Sequence, residues 1–377
     1  MKFVIAPDKF KGSLTGFEFC DAVAEGVAKV FPEAEIMKKP LADGGDGTIE
    51  VVQHYTEGEK VQLTASDPLF RPIDTFYVYS KSMQIAFIEM AEISGLKLLQ
   101  TSERNCMHTT SLGVGELIND ALSKGVKEII LGIGGSATND GGIGMAHALG
   151  FRFLDAEGNE LSPVGSSLAK IHHISTSKVN PLLKEVEFKV ACDVSNPLYG
   201  RNGAALIYGS QKGASSEEIE FLDQGLKNFA KVIQSEFNLD VQNIPGAGAA
   251  GGMGAGTSVF LNAALVSGIN LIKQITEFDQ ALDNADWIIT GEGQIDRQTL
   301  SGKTISGVLA SAKVKNIPVA ALCGSVQLTE QDQQEFGLAY VASITKGVSS
   351  LEEAMAKSYD NLVFAAYNFT KLLKVRK

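Results

Sequence analysis

The chain has 377 residues, 44% of them hydrophobic, and a formal net charge of −11. That length corresponds to about two domains of ordinary size, and the apolar content excludes a disordered chain. The acidic balance argues against a general nucleic-acid or anionic-membrane binder, because both need a positive field, and leaves open small anionic substrates held in a local pocket.

In chain order, residues 2–6 (KFVIA) read as a buried strand that stops at Pro7-Asp8. A helix is expected from Thr15, which forms a capping box with Glu18, and its apolar positions Phe17, Cys20, Val23, Ala24, Val27 and Val30 keep helical spacing up to Phe31-Pro32. Residues 61–90 are rich in strand formers around a turn at Asp67-Pro68 and contain no long helical pattern. A helix over 111–124 closes at Gly125, and short apolar runs follow at 128–133, 188–192, 287–290 and 317–322. Such continuous runs suit parallel strands covered on both faces. A helix over 300–315 precedes the last of them, and a capping box at Ser350 and Glu353 opens a helix to about Leu373. The fold class is therefore α/β. No Pro- or Ser-rich linker marks a boundary, so the domains either pack tightly or one is inserted into the other.

Cys20, Cys106, Cys192 and Cys323 are scattered, with no C-x-x-C pair and no zinc spacing, which predicts free thiols in a reducing compartment. The apolar stretch before Asp8 is too short for a signal-peptide core, and no run reaches the ~18 residues of a membrane span. A cytoplasmic protein is expected.

Three glycine-dense stretches carry most of the functional signal: 132–144 (GIGGSATNDGGIG), 246–256 (GAGAAGGMGAG) and 290–296 (TGEGQID), the last continuing to Ser301-Gly-Lys-Thr304. Glycine costs about 0.5–1 kcal/mol per position in regular structure, so this density needs a reason. Close approach of backbone N–H groups to phosphate oxygens is one; tight turns with close helix–sheet packing are the other. Gly132-Ile-Gly134-Gly-Ser-Ala137 also satisfies the dinucleotide pattern G-x-G-x-x-A, with Asp155 at a suitable distance. This makes an NAD-dependent dehydrogenase of a small hydroxy acid the alternative reading, weakened by Gly141, Gly142 and Gly144 where a firm helix should follow. A P-loop ending at Lys303-Thr304 fails, because Arg297 stands where its first glycine belongs.

Charged residues cluster beside these loops. Asp8, Lys9, Lys11 and Ser13 follow the first strand, Asp43 and Asp46 lie among glycines, Asp193 ends the run at 188–192, and Glu292 and Asp296 follow the run at 287–290. Asp43 and Asp46 do not form an EF-hand loop, since its later acidic positions are missing. Parallel α/β sheets bind ligands beyond the carboxyl ends of their strands, where all these residues fall. Phosphoryl transfer needs this inventory: amides for phosphates, lysine for charge, carboxylates for Mg²⁺ and one carboxylate to orient a hydroxyl.

Pro7-Asp-Lys-Phe-Lys-Gly-Ser-Leu-Thr15, Asp43-Gly-Gly-Asp-Gly-Thr48, Gly134-Gly-Ser-Ala-Thr-Asn-Asp-Gly-Gly142, Ala191-Cys-Asp-Val194 with Asn196-Pro-Leu198, Gln211-Lys-Gly-Ala214, Gly248-Ala-Ala-Gly-Gly-Met-Gly254 and Thr290-Gly-Glu-Gly293 closely resemble the bacterial glycerate kinase family, in order along essentially the whole chain. The resemblance implies ATP- and Mg²⁺-dependent phosphorylation of D-glycerate, typically to 2-phosphoglycerate. It also implies two α/β domains with largely parallel sheets flanked by helices, one of them discontinuous: 1–85 with 285–377, and an inserted 86–284. Asp193 is expected to act on the glycerate hydroxyl, with Asp8 as the rival base and Lys11 beside it. Lys9, Ser13, Arg71, Gly134, Gly135, Ser136, Thr138, Asn139 and Asp140 are expected to hold substrate or phosphate. Gly251, Gly252, Gly254, Gly291, Glu292, Gly293 and Lys303 are expected on the nucleotide, and Asp43, Asp46 and Asp296 on the metal, although the sequence does not separate metal from ribose ligands. Four positions depart from the family pattern: Gln294 where Arg is usual, Asp46 where Glu is common, Ile305 for a frequent Pro, and Phe70 where Gly is common before Arg71.

Overall fold

A computed structural model describes residues 1–375 except Asp46, Gln298 and residues 300–303. The fold is α/β, and the chain divides into two compact units, residues 1–55 with 269–377 and residues 56–268. The strands are β1 (Lys2–Ile5), β2 (Glu35–Lys38), β3 (Glu59–Ser66), β4 (Pro72–Ser80), β5 (Ile85–Glu89), β6 (Glu128–Gly132), β7 (Arg152–Leu154), β8 (His173–Ser175), β9 (Glu187–Ala191), β10 (Ala264–Val266), β11 (Trp287–Thr290), β12 (Gln294–Ile295), β13 (Val319–Cys323), β14 (Ser325–Val326) and β15 (Tyr340–Ser343).

The first unit is built on a five-stranded sheet of order β15-β13-β11-β1-β2, parallel throughout. Phe3, Val4 and Ile5 are all fully buried, as a strand covered on both faces requires. Phe3, Ile5, Ile289 and Leu322 pack with Phe19, Val23 and Phe369 from the helices Gly16–Ala28 and Ser358–Val375. Thr15 and Glu18 form the expected reciprocal cap. Ser350 and Glu353 do too, but the cap opens only the short helix Leu351–Ala356, and a separate helix, Ser358–Val375, carries the packing.

The second unit holds a six-stranded sheet of order β10-β9-β6-β5-β4-β3. β5, β6, β9 and β10 are parallel, while β3 and β4 form an antiparallel hairpin joined to β5 by pairs such as Val78↔Phe87. That pairing corrects the expected domain limits. The strand-rich patch belongs to the second unit because its backbone hydrogen bonds are made there, so the first crossing falls after Tyr55 rather than near residue 85. The return crossing falls before Ile269 rather than near residue 285, which assigns the helices Gly268–Ile275 and Phe278–Ala281 largely to the first unit.

Candidate active site

In the first unit the chain leaves β1 toward β2 and leaves β11 toward β13, in opposite directions across the sheet. The crevice beyond the carboxyl ends of β1 and β11 is therefore a topological switch point, the usual ligand position in an open parallel sheet. The loops after these two strands are tied together: the Asp8 amide donates to Gly291 O at 2.9 Å, and the Thr290 hydroxyl to Ala6 O at 2.7 Å. The Gly291-Glu292-Gly293 turn is held in turn by Gly324 N–H on Glu292 O and Ser325 N–H on Gly293 O. Gly293 lies over the 8–13 turn, and among the described residues the nearest atoms to an imagined Cβ are Lys11 N and Phe10 Cα at 3.9 Å.

Asp8 is the most constrained group here. Its Oδ1 accepts the Lys9 amide and its Oδ2 the Thr304 hydroxyl, each at 2.7 Å. Burial and, after it, the like charge of Asp43 push its carboxyl up to about 6, while Lys11 acts in the opposite direction. Asp43 accepts the Gly45 amide at 3.1 Å, and the Lys9 stem lies over Gly47. Lys11 is exposed. Ser13 is not open to a ligand in the same sense: its hydroxyl binds Met355 O and Ser358 Oγ, tethering the turn to the carboxyl-terminal helices. Asp296 accepts the Thr299 amide at 2.9 Å within its own turn. Asp46 and Lys303 lie outside the described residues.

Among the described residues no group of three or more His, Cys, Asp or Glu is placed to hold a metal ion. Magnesium does not require one, because it keeps several waters and takes one or two carboxylates together with substrate phosphates. Asp8 and Asp43 supply such a donor set, hard oxygens whose mutual repulsion a cation would relieve.

In the second unit β6 runs into the loop 133–142. Gly134 and Gly135 are exposed, whereas Ser136 through Asp140 are buried. The Leu96 amide donates to Gly135 O, the Ala137 amide to Ser94 O and the Thr109 hydroxyl to Ala137 O, all near 3 Å. From below, Lys212 Nζ donates to Ser136 Oγ at 2.8 Å and to Thr138 O at 2.6 Å. Glu89, at the end of β5, lies against Gly132, where an added Cβ would stand 2.7 Å from its Oε2.

Asp140 is occupied within the protein. It accepts the Ser111 amide and hydroxyl and the Gly142 and Gly144 amides, which makes it the clamp of this loop rather than an open ligand group. Burial still pushes its carboxyl up, against the pull of those four bonds. Gly251, Gly252 and Gly254 are buried, and their missing side chains make room for backbone: at Gly251 a Cβ would collide with Thr138 O, at Gly254 with Gly246 O. The second glycine stretch thus packs beneath the first, with Gly141 N–H on Gly251 O. Arg71 is held by Asp67 and Glu103, each at 2.6 Å, so its guanidinium serves a turn of the second unit. Asp193 stands exposed just beyond β9, one oxygen accepting the Gly268 amide at 3.0 Å.

Glu89, at the end of β5, and Lys212, in the turn Ser210–Lys212 beneath the loop, are buried charged residues that residue-by-residue reading of the sequence does not single out. Lys212 does fall inside the Gln211-Lys-Gly-Ala214 motif, but nothing in that motif says that its ammonium turns inward.

The dinucleotide context is absent. The helix after the loop, Ile143–Ala148, has six residues and starts only after Gly142, well past the fingerprint glycines Gly132 and Gly134. Asp155 caps its own surface turn by accepting the Glu157 and Asn159 amides. The strand before it, β7, pairs with β8 in a separate two-stranded sheet rather than beside β6.

Comparison with known proteins places the chain in a family. The family model described as the glycerate kinase family matches residues 3–374. A glycerate kinase of Bacillus cereus is 44% identical over 375 residues, covering 100% of this chain and 98% of the relative. A glycerate 2-kinase of Escherichia coli K12 is 42% identical, with 100% and 98% covered. A crystal structure described as a glycerate kinase 2 from Salmonella typhimurium LT2 superposes with a TM-score of 0.90 at 42% identity, covering 100% of this chain and 98% of that one.

Proposed function

The chain belongs to the glycerate kinase family, and from that premise we propose that it transfers the γ-phosphoryl group of ATP to the 2-hydroxyl of D-glycerate in a Mg²⁺-dependent reaction, giving 2-phosphoglycerate. The observation that carries the reading is the joined pair of strand-end loops at the switch point of the first unit, where Asp8, Asp43, Lys11 and the open Gly293 turn meet.

Asp193 is assigned to the acceptor hydroxyl: it is exposed at the carboxyl end of a parallel strand and is oriented by the Gly268 amide. Asp8, its rival from the sequence, is assigned with Asp43 to the cation, because Thr304 and Lys9 already fix both of its oxygens in place. A bound magnesium ion supplies charge neutralisation on the transferring phosphate. Lys11 faces phosphate charge from the exposed side of the same turn, and the Gly291–Gly293 amides carry the nucleotide. The exposed Gly134-Gly135 tip takes the acceptor's anionic group. The free thiols of all four cysteines fit a reducing, cytoplasmic setting.

The test is ADP release from Mg·ATP with D-glycerate, run against L-glycerate, EDTA and NAD⁺ controls, with phosphorus NMR of the product. Metal-dependent turnover and a 2-phosphate signal are expected; NADH formation without ADP would overturn the assignment. Asp193→Asn should lower kcat by ~10²–10⁴ with little change in stability, since that is the usual cost of losing a general base. Turnover within about tenfold of wild type would return the role to Asp8.

A further inference from the structure

Lys212 is only 3% exposed and lies in the turn Ser210–Lys212. Among the described residues it makes no ion pair; its ammonium donates to Ser136 Oγ and Thr138 O. The ionisable groups acting on it are Cys106, which follows Arg104 in the segment packed against Gly213, and Asp140 of the loop, whose oxygens are taken by Ser111, Gly142 and Gly144. An unpaired buried ammonium costs several kcal/mol and calls for compensation.

The loop above it contains polar groups that the protein leaves incomplete. Thr138 Oγ1 and both amide atoms of Asn139, with Ser94 Oγ beside the loop, are buried without hydrogen-bond partners among the described residues, Asn139 being 1% exposed. Buried polar atoms are nearly always met by something, if not by protein then by water or ligand. Ser136 Oγ accepts from Lys212, so its own proton remains to be donated, and a donor polarised by an ammonium is a strong partner for an anion. Next to it, Gly134 and Gly135 are exposed, and among the described residues no atom beyond its chain neighbours lies within 4 Å of an imagined Gly134 Cβ.

We propose that Lys212 is a positioning residue for the acceptor substrate: it holds the 134–139 loop in shape and sets the Ser136 hydroxyl as a donor to the carboxylate of glycerate. The inference rests on the glycerate kinase reading and adds to it the element that recognises the substrate's charge. An oxyanion of ATP has similar chemistry, and separate titrations of the two substrates distinguish them.

Burial lowers the Lys212 pKa to about 8, so its charge is lost within reach of an assay. Initial rates are measured from about pH 6.5 to 9.5 for wild type, Lys212→Arg, Lys212→Met and Ser136→Ala, varying D-glycerate at saturating Mg·ATP and then the reverse. For wild type the KM for D-glycerate should be flat at the acid end and rise toward tenfold per pH unit above the Lys212 pKa, with the KM for ATP unmoved. Lys212→Met and Ser136→Ala should each raise the glycerate KM about 10-fold or more at pH 7, with a smaller change in kcat, and remove the pH slope. Lys212→Arg should restore much of the KM and remove the alkaline rise, because a guanidinium stays charged throughout. If Lys212→Met does not fold, the wild-type profile and Ser136→Ala still decide. A flat wild-type profile, a rise confined to the KM for ATP, or variants that lose thermal stability while keeping the wild-type glycerate KM would each overturn the proposal. Absence of wild-type turnover would remove the kinase reading itself.

Discussion

The strand-end loops of the two units solve the same problem in opposite ways. In the first unit the loops after β1 and β2 bring two carboxylates, Asp8 and Asp43, close enough that one raises the other's pKa. In the second unit the loop after β6 has its one buried carboxylate, Asp140, satisfied by four donors, and only its glycine tip is exposed. The first region stores electrostatic repulsion that a cation can relieve, and the second spends its interactions on holding a shape. Stability and ligand dependence should therefore separate between them under mutation.

The largest effect is expected where the locked loop is broken from beneath. Gly251 has φ +71°, and its missing side chain is replaced by the backbone of Thr138 and Asn139. Gly251→Ala adds left-handed strain of about 1–2 kcal/mol and a collision with atoms that cannot rotate away, for a loss of about 3–5 kcal/mol in all. Chemical denaturation followed by a probe in the second unit should show the shift. A loss below about 1 kcal/mol would mean that the two glycine stretches are not mechanically coupled.

The matching change in the first unit should behave differently. Asp43 is half-buried, and it accepts the Gly45 amide within its own loop. Asp43→Asn should leave stability within about 1 kcal/mol of wild type. It should raise the magnesium concentration giving half-maximal rate by about tenfold or more, as loss of a carboxylate near a metal commonly does. A magnesium titration of the initial rate checks this. An unchanged titration would detach Asp43 from the cation and leave its repulsion with Asp8 unexplained.

This contrast also marks what a sequence can disclose. β1 and β11 were legible because runs such as KFVIA and WIIT are buried on both faces, and periodicity reports burial directly. The hairpin residues 59–80 carry the same strand signal, but their membership of the second sheet depends on pairing with β5, a non-local fact, and the domain limits were misplaced for that reason. The glycine loops were legible as unusual. Which of their glycines face solvent and which face other backbone was not, since Gly134 and Gly251 each begin a Gly-Gly pair in the sequence, and neither the packing on them nor the left-handed backbone of Gly251 alone is a local signal. The Lys212 ammonium escaped for the same reason: a lysine followed by glycine reads as surface until the 134–140 loop is laid over it.

The smallest expected effect concerns Phe70, where the family resemblance leads one to expect glycine. The turn is organised by Asp67, whose Oδ1 accepts the Leu69 and Arg71 amides at 2.7 and 2.9 Å, and Phe70 adopts φ +62° to complete it. A phenylalanine in that conformation costs about 1–2 kcal/mol. Its ring recovers little of this, being 41% exposed. Glycine removes the strain but gains about 0.4–1 kcal/mol of unfolded-state entropy, so Phe70→Gly should stabilise by about 0.5 kcal/mol net. For a unit of this size that corresponds to a rise in Tm of about 1–2 °C. Turnover should be unchanged, because Arg71 stays with Asp67 and Glu103 whichever residue precedes it. A fall in Tm would mean that the exposed ring contributes more than its strain, whereas a change in the glycerate KM would return Arg71 to the substrate and sharpen the division between the locked loop and its surroundings.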